Sequence, residues 1–127
     1  MTWEGSGMGL DMMYYRATHD AEDEQIGYQR KANAVHGWII RNLAEGRDDS
    51  CARIALPPEA LREMIADIDR ALSDPASADN PMPPTPGFFF GSLELDEWYT
   101  NDLLEARQLA LHMLDQPDEQ FYYVGWW

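Results

Sequence analysis

Tyr28, Ala32, Val35, Ile39 and Leu43 recur at steps of four, three, four and four, one apolar stripe on a helix of 3.6 residues per turn. The spacing predicts a helix over Tyr28–Leu43, with Arg30, Asn33, Gly37 and Arg41 on another face. It should end near Glu45, with Gly46 as a left-handed C-terminal cap. A second stripe, Leu61, Met64, Ile65, Ile68 and Leu72, predicts a helix opened by Pro57-Pro58-Glu59, with Arg62, Glu63, Asp67 and Arg70 facing outward. A third, Tyr99, Leu103, Ala106, Ala110 and Met113, predicts a helix from Asp96, as N-cap, to Leu114. Pro117 stops it.

Extended segments fall between these helices. Gly9–Thr18 is rich in aromatics and reads as a strand. Of its two alternating sets, Leu10, Met12 and Tyr14 are the more apolar and should point inward. His19–Glu24 is an acidic turn. Cys51–Leu56 is a short strand, as is Phe88–Phe90 between two glycines. Phe121–Trp127 is a terminal aromatic strand that should pair with Gly9–Thr18. Residues 74–87 hold five prolines, which neither continue a helix nor enter a central strand, and form a stiff connection.

The expected order is β-α-β-α-loop-β-α-β. It defines an α+β domain, three helices packed on a small antiparallel or mixed sheet of three to four strands. Residues 1–7 read as a flexible N-terminal extension and residues 8–127 as a single domain, consistent with a length of 127 residues.

Charge sharpens the picture. The formal net charge is −14, and residues 64–127 hold two basic residues against twelve acidic ones. Nucleic acid and anionic membranes need basic surface, so neither is an expected partner. A protein or ribonucleoprotein with a basic surface is. Leu, Ile, Val and Phe are sparse, but five Trp, six Tyr and seven Met supply a core. The single Cys51 suits a reducing compartment, and no apolar run approaches the length of a membrane helix. A cytoplasmic location is expected.

Candidate chemistry is thin. Arg30, Lys31, Asn33 and His36 on the predicted first helix form a possible anion-binding cluster for a phosphate or carboxylate; alternatively Arg30 and Lys31 pair with the acidic second half and His36 packs as a half-buried polar residue. Cys51 with His36 lacks any local mark of an activated thiol. The paired carboxylates (Asp48/Asp49, Asp96/Glu97, Asp118/Glu119) are what 23 acids produce by chance. No metal-ligand spacing and no phosphate loop occur, so no cofactor and no catalytic residue is assigned. Trp126 and Trp127 either fold onto the core or anchor an interface.

Four segments taken together resemble one family. They are GLDM at Gly9–Met12, YQRKANAVHGW at Tyr28–Trp38, GFFFGS at Gly87–Ser92 followed by DEWY at Asp96–Tyr99, and FYY at Phe121–Tyr123 with the closing Trp127. They are similar, in the same order, to an uncharacterised family of small phage and prophage proteins. Gln29 stands where that pattern has tryptophan, Leu93 where it has threonine, and Gly125-Trp126 where it has paired serines. The resemblance implies a phage or mobile-element origin and hence an accessory role such as countering a host defence. With the small size, the charge and the missing catalytic constellation, the protein is expected to act by binding rather than catalysis. The expected role is inhibition of a host defence complex, anti-CRISPR-like. Glu94, Glu97, Asp102 and Glu105 would present an acidic, nucleic-acid-mimicking surface to it. The alternative function is binding or sequestration of a small anionic ligand, such as a nucleotide, through Arg30, Lys31, Asn33 and His36.

Overall fold

The aromatic segments at the two ends of the chain meet. In the computed structural model, which describes residues 9–86 and 92–127, β1 (Asp11–Arg16) runs antiparallel to β4 (Phe121–Trp126), with Tyr14 opposite Tyr123 and Asp11 opposite Trp126. The Tyr14 and Tyr123 rings lie 5.3 Å apart on the inner face, and Tyr15 stacks on Tyr122 at 5.2 Å on the outer one. Leu10, Met12 and Tyr14 are the inward set, each almost completely buried. β2 (Glu24–Arg30) pairs with the other edge of β1, and β3 (Arg53–Ala55) with β4. The sheet is four-stranded and antiparallel, in the order β2-β1-β4-β3.

Three helices pack against it: α1 (Asn33–Leu43), α2 (Pro58–Ser73) and α3 (Glu97–Leu114). The α3 stripe, Tyr99, Leu103, Ala106, Ala110 and Met113, is buried as its spacing requires. Asp96 caps that helix, accepting from the amides of Trp98 (3.1 Å) and Tyr99 (3.2 Å). On α2, Leu61, Met64 and Ile68 are buried, and Ile65 and Leu72 pack at the core's margin. At the end of α1 the Gly46 amide donates to the Ile40 carbonyl (2.8 Å), with Gly46 at φ 80° and Glu45 at φ 56°.

One element differs from its expectation. The stretch Tyr28–Leu43 is not one helix: it ends a strand and begins a helix, so the order is β-β-α-β-α-α-β. Tyr28 faces Met13 in the sheet and is 50% exposed, so its spacing from Ala32 does not reflect a shared helix face. Two local features favour the break. Lys31 adopts φ 57°, outside the right-handed helix. Gly27, a poor helix former, lets Leu109 of α3 press onto the strand, where a Cβ would lie 2.5 Å from the leucine methyl. The expected N-terminal extension at residues 1–7 and the strand at Phe88–Phe90 lie outside the described residues.

The Pro-rich connection acts as a strap. It crosses the face of α1 that carries Asn33, Gly37 and Arg41. Asn33 Oδ1 accepts from the Thr85 amide (2.9 Å), Arg41 donates to the Pro81 carbonyl (3.3 Å), and a Cβ on Gly37 would collide with Thr85. Residues 33–40 of α1 are therefore buried all round, between sheet and strap. Met82 of the strap is fully buried, and Tyr99 donates to its carbonyl (2.8 Å).

Candidate functional site

The turn from β2 into α1 brings Arg30, Lys31 and Asn33 to one cavity of about 230 Å³. Lys31 reaches it because its left-handed backbone turns the chain sharply out of the strand, and because Gly9 leaves room for both basic side chains to pass. The opposite wall comes from the start of α3 and the residues before it: Glu94, Asp96, Trp98 and Asp102. Trp98 and Asp102 are one turn apart, so they share a helix face. Tyr99 also lines the cavity.

The electrostatics of the two walls differ. Arg30 is partly neutralised by Asp11, at 3.5 Å, whose carboxylate also accepts from the Tyr28 hydroxyl (2.5 Å). Asn33 is spent on structure, binding the Thr85 amide and donating to the Ser92 carbonyl (2.8 Å), so it ties the strap to the approach of α3. Among the described residues, neither the Lys31 ammonium nor the Asp102 carboxylate has an ion-pair or hydrogen-bond partner. Burial, with Glu105 and Asp96 nearby, pushes the Asp102 carboxyl up from 3.8 to about 7. The three carboxylates make the cavity a poor receptacle for a polyanion such as a nucleotide.

His36 does not join this group. It points to the other side of α1, where Tyr123 Oη lies 2.6 Å from Nδ1 and Asp48 Oδ1 2.9 Å from Nε2. An ionised Asp48 accepts from Nε2–H, leaving Nδ1 to accept from the tyrosine. Burial lowers the imidazole pKa against the opposing pull of Asp48, so the ring is neutral at pH 7. Asp48 also accepts from Trp127 Nε1 (3.1 Å). Both ring nitrogens are thus engaged away from Cys51, which is exposed rather than part of the core. The chain Tyr123–His36–Asp48–Trp127 locks the last strand to α1. Only Gly125 lets the imidazole lie on β4, since a Cβ there would stand 2.8 Å from His36 Cε1.

The acidic residues also divide. Glu94, Glu97 and Glu105 are exposed, whereas Asp102 is half-buried at the cavity. Between the exposed acids stand large apolar side chains: Trp98 is 70% exposed, with Leu93, Leu95, Leu104 and Leu111 at 40–51%. On α3, Trp98, Leu104 and Leu111 stand on the solvent side among polar residues, Asn101 and Gln108 between them. The two terminal tryptophans separate as well. Trp127 packs on the core and exchanges hydrogen bonds with Ser50 (3.0 and 3.1 Å), while Trp126 is 40% exposed.

Trp98 is not among the site candidates read from the sequence, Asp96 enters there only as an N-cap and in a carboxylate pair, and Asp48 only in such a pair. The first two carry a signal in retrospect, as Trp98 lies outside the buried stripe of α3 yet one turn from Asp102. Asp48 carries none, since only the tertiary fold brings it to His36. No family model, curated protein or solved structure matches the chain.

Proposed function

We propose that this is a phage or mobile-element accessory protein that acts by binding, without catalysis of its own. It inhibits a host defence complex, anti-CRISPR-like, by occupying a basic surface built for nucleic acid. The observation that carries this reading is the solvent face of α3, where exposed Glu97 and Glu105 flank exposed Trp98, Leu104 and Leu111. Acidic groups on such a face steer the protein to a Lys/Arg-lined groove and set its register. The apolar side chains supply the dry contact that makes a complex last, and tryptophan dominates such contacts. The net charge of −14 and the likeness to a phage family support the same reading. Its place of action is the host cytoplasm. Among the described residues no helix is long and apolar enough to cross a membrane.

The test is binding to a purified host defence ribonucleoprotein. The double variant Glu97→Lys/Glu105→Lys should bind more weakly, and wild-type affinity should fall as salt rises, because screening acts on exposed charges. Salt-independent binding, unchanged by the double variant, would remove the acidic face from the mechanism.

A further inference from the structure

The cavity between the β2–α1 turn and the start of α3 has one feature the docking face does not explain: its walls carry opposite charge, yet among the described residues no ion pair joins them. Lys31 and the half-paired Arg30 stand on one side, Asp102, Asp96 and Glu94 on the other, and Trp98 and Tyr99 are part of the lining. The N-terminus of α1, which has no side-chain cap, opens on the basic side through Ala34. Helix N-termini and lysines favour a carboxylate, while a carboxylate pair beside an indole favours an ammonium group.

We infer that this cavity binds a free α-amino acid, with its carboxylate towards Lys31 and the start of α1 and its ammonium towards Asp102 and Asp96. The arrangement of charge supports this assignment over a single-charge ligand, and the size of the cavity and the backbone of Lys31 fit it. An anion alone would leave its far side against three carboxylates, and a cation alone would stand close to the Lys31 ammonium. The volume, about 230 Å³, is below the range of drug-sized pockets, which suits a molecule of amino-acid size. Lys31 also holds a left-handed backbone at φ 57°, a conformation a lysine adopts at a cost and one that concentrates at binding sites. The raised pKa of Asp102 fits the same picture, because a bound ammonium would offset the burial of its charge and the nearness of Glu105 and Asp96. The inference does not rest on the docking face, although Trp98 belongs to both, since it concerns a small molecule between the β2–α1 turn and α3 rather than a partner laid across the helix.

The experiment is calorimetric titration of the full chain with the twenty common L-amino acids at millimolar concentration, at pH 8. At least one should bind. For that one, the amine lacking the carboxylate and the acid lacking the ammonium should each bind about tenfold or more weakly, as each forfeits one charge-assisted contact. Asp102→Asn and Lys31→Asn should each lose a similar factor; asparagine is chosen at position 31 because it tolerates the left-handed backbone. The unliganded melting temperature of each variant reports whether it is folded. Absence of binding by all twenty overturns the inference. So does an amine or an acid that binds as well as its parent, which would make the cavity a receptor for one charge only.

Discussion

Replacing Asp102 by asparagine should stabilise the protein at alkaline pH and leave it unchanged in acid. The Asp102 carboxyl titrates near 7 in the fold against an ordinary value of 3.8, because burial and then Glu105 and Asp96 oppose its charge. A rise of that size corresponds at face value to about 4 kcal/mol. The group is half-buried, and solvent screening reduces the effect to about 1–2 kcal/mol. The sign follows from proton binding. With the folded pKa above the unfolded one, the native state holds the extra proton between pH 3.8 and about 7, so stability falls as pH rises through that window. Asparagine has the shape of the protonated form and never ionises. Urea unfolding followed by tryptophan fluorescence at pH 8, 6 and 4 should therefore show a gain of about 1–2 kcal/mol for Asp102→Asn at pH 8. The gain should shrink at pH 6 and approach zero near pH 4. A destabilised variant at pH 8, or a gap that does not change with pH, would refute the reasoning.

Other expectations concern the lock on the last strand. His36→Gln should cost about 1–3 kcal/mol in urea unfolding at pH 8, as it breaks up buried hydrogen bonds. The imidazole pKa is lowered in the fold, so His36 contributes stability that is present above about 6.5 and lost as pH falls through the folded pKa; comparing the variant with wild type from pH 8 to pH 5 should show that slope removed. Gly125→Ala should lower stability by about 1–3 kcal/mol, measured the same way, because its Cβ has no room beside His36 and Tyr123. Deleting Trp127 should lower the melting temperature by more than Trp126→Ser does, since Trp127 packs on the core and bonds Asp48 and Ser50, whereas Trp126 is 40% exposed.

Local periodicity carried much of the fold. The stripes of α2 and α3 and the cap at Asp96 were legible because burial on one face imposes a repeat on the sequence. The pairing of the two chain ends was legible too, as aromatic strands have few other ways to bury their rings. The junction at Lys31 was not. A step of four between Tyr28 and Ala32 matches a helix by coincidence, and the left-handed turn that separates them leaves no pattern when lysine occupies it. The site was legible in part for the same reason. Arg30, Lys31 and Asn33 do reach one cavity, but from a turn rather than a helix face, while His36 leaves them for a partner, Asp48, supplied by the loop after α1. The acidic wall comes from residues some sixty positions away, and no local spacing encodes that meeting.

The most direct measurement is infection. A bacterium with an active CRISPR–Cas system that targets a test phage would express either the wild-type protein or Glu97→Lys/Glu105→Lys, both shown to be folded and equally abundant. Wild type should restore plating of the targeted phage, and the double variant should not. Plating that stays blocked with the wild-type protein, or that the variant restores equally well, would contradict inhibition through the acidic face of α3.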